Sequence, residues 1–288
     1  MKIAVGTVQF GLAYGAFNQV GQVSVTEVRQ ILELAKTAGV SLLDTANAYG
    51  NSEAVLGEVA AGDYFRLVTK IPALVGVDPV NQIRKFFSES LLRLRVNKVH
   101  GLLLHRAADL VGPNGAALWR LLEELRDSGK INKIGFSAYG PEEAKAVMEQ
   151  YPVQLIQLPA NVFDTRHLDA GVLDICHSQG IEVHVRSVFL QGFILSNPEY
   201  ISGHLSAWRD LLSKFQTRCI EMGVSPLQAA LQYIMDLPQV DQVIVGVDRC
   251  SQLTEILQAS KSIPLSHTNM CDFASKDLQL IDPSKWQQ

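Results

Sequence analysis

The chain has 288 residues, 47% of them hydrophobic and 19% charged, with 21 glycines and 11 prolines. These proportions belong to an ordinary globular protein and exclude collagen-like, low-complexity and disordered chains. Lys and Arg number 25 against 29 Asp and Glu, a net charge of −4, so no general attraction to nucleic acid or to an anionic membrane surface is expected.

The opening run MKIAVGTVQFG alternates like a strand and is too short for a signal peptide, and no later apolar run reaches the length of a membrane span. Cys176, Cys219, Cys250 and Cys271 are scattered, with neither a CxxC pair nor Cys/His metal spacing. A structural zinc is therefore not expected, and a cytoplasmic, reducing location is.

Short β-branched runs at 3–8, 40–44, 66–70, 99–104, 132–136, 154–158, 182–187 and 241–246 predict strands. Between or after them, 26–38, 52–60, 79–94, 114–127, 141–150, 168–179, 207–222 and 251–260 have helical periodicity. In 79–94, Val80, Ile83, Phe87, Leu91 and Leu94 share one face, with Arg84, Lys85, Glu89 and Arg93 largely off it. Gly39, Gly129 and Gly180 stand where left-handed helix caps are wanted. About eight β-then-α units without a composition break predict a single-domain (β/α)8 barrel. The rival doubly wound sheet should carry GxGxxG after its first strand, and the chain has none. Loops 9–25 and 188–206 and the tail 261–288 exceed ordinary loop length and are expected to shape a substrate pocket.

Catalytic groups of such barrels sit where strands end. The second strand ends in Asp44, with Tyr49 shortly after; the third ends at Lys70, the fourth at His105, the fifth at Ser137, and the sixth contributes Gln157. Taken singly, each has an everyday role: a helix cap, a packed aromatic, a solvated lysine, a structural histidine. Their joint placement at successive strand ends points to one site. A carbonyl reduced by hydride needs a proton donor beside its oxygen, and a free tyrosine's pKa of about 10 is too high for an easy donor. An ammonium such as Lys70 is expected to lower it, with Asp44 holding that ammonium and His105 orienting the carbonyl.

The stretch from Gly39 through Asp44 and Tyr49 to Glu53 and Gly57 resembles a signature of the aldo-keto reductase superfamily, with Lys70 in Val-Thr-Lys-Ile-Pro and His105 in Leu-Leu-Leu-His at matching positions. The resemblance spans nearly the whole chain. It implies a (β/α)8 barrel, usually monomeric, in which Asp44, Tyr49, Lys70 and His105 form a catalytic tetrad. It also implies a nicotinamide cofactor, usually NADPH and otherwise NADH, and a small-molecule carbonyl substrate.

For the cofactor, the resemblance implies that Ser137 and Gln157 grip the carboxamide. It places Arg186 where many members stack a tyrosine, the backbone of Ser187, Leu190 and Gly192 along the pyrophosphate, and Gly246, Arg249, Gln252 and Glu255 at the adenine end. Arg249 is the expected partner of a 2′-phosphate. Ala138 and Ile256 depart from the asparagines common in the family. Phe10, Tyr14, Phe17, Asn18, Phe189, Phe193, Tyr200, Phe273 and Trp286 are the candidate pocket residues of the long loops and tail. Arg106 is either a substrate contact or a surface ion pair. The run from Tyr14 to Asn18 resembles bacterial members associated with sugar and cell-surface polysaccharide chemistry. Two other readings remain open here: a nicotinamide-binding redox sensor with little turnover, and an aldolase-type barrel using Lys70 as a Schiff-base nucleophile.

Overall fold

Eight strands form in chain order: β1 (Ile3–Gly6), β2 (Leu42–Asp44), β3 (Arg66–Ile71), β4 (Val99–Leu104), β5 (Ile131–Ser137), β6 (Leu155–Pro159), β7 (Glu182–Arg186) and β8 (Gln242–Gly246). Each pairs in parallel with the next, and β8 pairs with β1, so the sheet closes into a barrel. The computed structural model describes residues 1–261 and 270–286. Part of the expected tail, 262–269 with 287–288, lies outside the described residues.

The helices lie between the strands because each has one apolar face to bury. Helix Pro79–Leu94 buries Ile83, Phe87, Ser90 and Leu94. Asp78 caps it by accepting from the Asn81 N–H at 3.1 Å, a contact worth about 1 kcal/mol, and Pro79 takes the first turn, where no N–H is needed. The expected helix ends hold: Gly39, Gly129 and Gly180 have φ of +81°, +80° and +67°. Two details differ from the sequence reading. The expected 168–179 helix is split into Arg166–Asp169 and Val172–Gln179 by Gly171 at φ +71°. An unexpected helix, Pro226–Met235, precedes β8 and buries Ala229 through Ile234 in succession. With no polar face on that run, the periodicity signal is lost, although Ser225 accepting from the Gln228 N–H and Pro226 at the first turn mark its start.

Inside the barrel, Ala4, Leu42, Val68, Leu103, Leu155 and Ile244 form a closed apolar layer. Side chains alternate across a strand, so the residue two positions on again points inward. Two residues above that layer stand Gly6, Asp44, Lys70, His105, Gln157 and Gly246. Strand register alone therefore delivers four polar side chains to the C-terminal mouth.

Candidate active site

Lys70 is fully buried, and its Nζ donates to Asp44 Oδ1 at 2.8 Å and Oδ2 at 2.7 Å, to the Thr45 carbonyl at 2.9 Å and to Tyr49 Oη at 3.3 Å. Gln157 Nε2 donates to the same Asp44 Oδ1 at 2.7 Å. A buried charge survives only when paired and hydrogen-bonded, and here both partners are. His105 completes the group: its ring meets that of Tyr49 edge-on at 5.9 Å between centroids, and its backbone N–H is held by the Ile71 carbonyl at 2.9 Å.

Tyr49 is not on a strand, so its position depends on a tight turn. Its N–H donates to the Ala46 carbonyl at 3.0 Å. The chain after β1 lies directly against this turn: a Cβ on Gly11 would stand 1.9 Å from the Tyr49 carbonyl oxygen, and one on Gly50, whose φ is +56°, 2.4 Å from the Gly11 oxygen. Only glycine permits that approach. Glu53, buried, then ties the following helix to β3 by accepting from Thr69 Oγ1 at 2.6 Å and from Arg93.

Electrostatics set the protonation states. Burial, with Lys70 and Arg186 nearby, pushes His105 down to about 3, so it is a neutral imidazole at neutral pH with one N–H to donate. The expected lowering of Tyr49 by Lys70 is not what the structure gives. Burial and the Asp44 carboxylate push the phenol well above its ordinary value, and Arg186 is the cation that pulls it back down. The Lys70 charge is spent on Asp44, so in the free protein Tyr49 holds its proton firmly.

A cleft of about 720 Å³ opens over this group and runs to the far side of the mouth beyond β8, within the usual range of small-molecule sites. Asp44, Tyr49, His105, Gln157, Arg186, Ser187, Gly192, Gly246, Gln252 and Glu255 all line it, while Lys70 lies beneath. Ser137, paired with Gln157 across β5 and β6, is buried just outside the lining with its Oγ lacking any partner. Arg186 donates to the Ala138 carbonyl at 3.2 Å and lies 4.7 Å over the Tyr139 ring. Leu190 and Arg249 do not line the cleft. Leu190 is fully buried in the core although its backbone is left-handed at φ +46°. Arg249 is exposed, outside the cleft lining, at the cap of helix Cys250–Ala259.

Of the loop candidates, Tyr14, Phe17, Asn18 and Phe189 line the cleft. Phe10, Phe193 and Phe273 are buried elsewhere in the core, Tyr200 is exposed outside the cleft, and Trp286 bonds the Leu280 carbonyl away from it. Arg106 pairs with Asp109 on the surface. The two long loops meet across the mouth, where Gln191 Nε2 donates to Tyr14 Oη at 3.2 Å and Gln191 Oε1 accepts from the Ala16 N–H at 3.2 Å. Tyr139 and Leu227 also line the cleft and escaped the sequence reading. Tyr139, two residues past the end of β5, was findable by position; Leu227 was not, because it sits on the unexpected helix Pro226–Met235. Among the described residues no helix is long and apolar enough to cross a membrane, and no metal-binding group of His, Cys, Asp or Glu occurs.

A parallel eight-stranded barrel carrying a buried Lys-Asp pair under a tyrosine and a histidine defines a class of oxidoreductase barrel. Residues 2–277 match the model of the Aldo/keto reductase family, and the chain belongs to that family. It is 27% identical over 253 residues to a 6-dehydroglucose reductase of Novosphingobium aromaticivorans, covering 82% of this chain and 81% of that protein. It is 23% identical over 266 residues to an NADH-specific methylglyoxal reductase of Escherichia coli, covering 80% and 81%. Among solved structures, it resembles an aldo-keto reductase of Bacillus halodurans in its holo form with a TM-score of 0.78 at 20% identity, covering 99% of this chain and 95% of that one. At that identity the likeness concerns the fold.

Proposed function

We propose that this protein reduces an aldehyde, ketone or sugar-like carbonyl to the alcohol with a nicotinamide nucleotide, and that Tyr49 supplies the proton. The observation that carries the reading is the Lys70–Asp44 pair at 2.7 Å beneath the Tyr49 hydroxyl at 3.3 Å. Relatives named for reducing 6-dehydroglucose and methylglyoxal support the carbonyl class.

When bound, the nucleotide supplies a hydride to the carbonyl carbon. Everything else falls to the chain's own side chains. Gln157 lines the cleft and Ser137 Oγ, beside it on β5, has no protein partner, which supports these two as the groups that would hold a carboxamide. Arg186, lining the cleft over Tyr139, presents a flat guanidinium on which a heteroaromatic ring can stack. His105, neutral, donates a hydrogen bond to the carbonyl oxygen and fixes its direction. Tyr49 Oη gives its proton to that oxygen as negative charge develops. Lys70 Nζ then stabilises the phenolate across 3.3 Å, and Asp44 keeps the ammonium aimed. Burial that raises the Tyr49 pKa at rest also makes this stabilisation stronger during the reaction, because few waters screen it.

A Schiff base on Lys70 fits less well: Nζ lies under the cleft floor with its donors engaged by Asp44, Thr45 and Tyr49. The test uses a nucleotide deuterated at its transferable hydrogen and a panel of aldehydes, ketones and sugar-derived carbonyls. The expected product carries one deuterium on the carbinol carbon. Tight nucleotide binding without transfer to any carbonyl would instead favour a redox-sensing protein, and borohydride trapping on Lys70 an aldolase.

A further inference from the structure

We infer that Asp248 makes this protein select NADH over NADPH, because the far end of the cleft is built for a free ribose diol and against a 2′-phosphate. The inference rests on the nucleotide-dependent reading above. With the nicotinamide at Tyr49, an elongated dinucleotide can extend only along the cleft, whose other end is bounded by Asp248, Gln252, Glu255 and Ile256.

Two carboxylates, Asp248 and Glu255, line that end, and none of its lining residues is cationic. The nearest guanidinium in sequence, Arg249, is exposed outside the lining, and its charge acts on Asp248. Helix Cys250–Ala259 begins here, and free N–H groups at a helix start are the usual seat of a phosphate. At this helix the first of these groups is taken: Glu27 reaches over from the helix Val25–Thr37 and accepts from the Cys250 N–H at 2.6 Å. The Asp248 N–H is likewise held by Gln252 Oε1 at 2.7 Å. Asn18 Nδ2 reaches Asp248 Oδ1 at 3.5 Å, and the same amide group binds the Tyr14 and Gly21 carbonyls. The strap over the cleft thus steadies the Asp248 side chain.

A 2′-phosphate brings a charge of roughly −1.5 to −2 at neutral pH. Placed here it would meet Asp248, Glu255 and the Glu27 carboxylate, with the Cys250 and Asp248 N–H groups already occupied. Like charges set together across an interface cost several kcal/mol. A 2′-hydroxyl has the opposite requirement, since it donates a hydrogen bond to a carboxylate, the arrangement by which an acidic residue recognises NAD over NADP. Arg249 therefore does not supply the phosphate contact that the sequence resemblance implies.

The test is a fluorescence titration of the purified protein with NADH and with NADPH, repeated on Asp248→Asn. The expected result is NADH binding at least about tenfold tighter, with the substitution improving NADPH affinity, weakening NADH and so narrowing the preference. Equal or tighter NADPH binding by the unaltered protein overturns the inference and leaves carbonyl reduction standing. A preference that Asp248→Asn does not narrow overturns the role of Asp248. Binding of neither nucleotide overturns both this inference and the reading beneath it. Should the variant fold poorly, titration of the unaltered protein with ADP-ribose and its 2′-phosphorylated counterpart decides the matter, since equal affinity for the two contradicts it.

Discussion

Each mouth of the barrel holds a group of buried charges, and the two groups are assembled on opposite plans. At the C-terminal mouth, Asp44 is the hub for Lys70 and Gln157, yet the groups around it keep capacity in reserve: Tyr49 and His105 face the cleft, Ser137 Oγ is unpartnered, and Arg186 donates only to a carbonyl and a hydroxyl. At the N-terminal mouth, Glu182 gathers three partners onto one carboxylate, with Lys133 Nζ at 2.6 Å, His184 Nε2 at 2.8 Å and His100 Nε2 at 3.2 Å. Burial alone pushes Glu182 up, but the hydrogen bonds from those three outweigh it and hold the carboxyl well below the usual range. Burying charge is thus common to both ends. What separates a site from a brace is hydrogen-bonding capacity left unspent in front of a cavity.

Substitutions should pull the two ends apart. Replacing Lys70 with Met leaves Asp44 buried without its counter-charge, so stability should fall by about 3–5 kcal/mol and turnover by about 10²-fold or more. Adding Asp44→Asn to that variant removes the orphaned charge and should restore much of the melting temperature but none of the turnover. Recovery of turnover in the double variant would mean the pair is structural. At the other mouth, Glu182→Gln should cost about 1.5–3 kcal/mol in chemical denaturation, the range for hydrogen bonds to a charged group, and leave turnover at its original rate. A lost rate with unchanged stability would erase the distinction between brace and site.

The smallest effect separates the ends by pH. His167 is buried, and burial with Arg166 and Arg186 nearby pushes it down to about 3 from 6.5. Below pH 6.5 the unfolded chain binds a proton that the folded chain refuses, so stability falls as pH drops from 6.5 towards 3, with His105 adding to the same window. Glu182 is the opposite kind of group: its contribution is complete above its unfolded value of 4.5 and is lost only as pH falls below that. Melting curves should show His167→Asn flattening the limb between pH 6.5 and 4.5, by at most about 1.4 kcal/mol per pH unit. Glu182→Gln should alter only the more acidic limb.

The barrel and the strand-borne residues of the candidate site were legible because strand register is a period-two signal that needs no tertiary knowledge. Asp44, Lys70, His105 and Gln157 each lie two residues beyond an apolar inward position on their strands. Tyr49, off the strands, was legible as the aromatic just past the second strand end, but its placement depends on the contact between Gly11 and Gly50, which sequence distance hides. The Glu182 group went unseen for a similar reason, since His100, Lys133 and Glu182 sit on three strands and meet only where the barrel closes. At the far end of the cleft, sequence adjacency does not separate two neighbours: Arg249 stands at the cap of the next helix outside the lining, while Asp248 lines the cleft.

The central claim is that the Tyr49 hydroxyl, resting on a buried Lys70–Asp44 pair, delivers the proton. The most direct measurement is turnover and nucleotide affinity, side by side, for the unaltered protein and Tyr49→Phe with the best carbonyl found in the deuterium screen. The account predicts unchanged nucleotide affinity and turnover lower by about 10²–10⁴-fold. Turnover near the original rate in Tyr49→Phe would contradict it, and the proton would then have to come from His105 or from water.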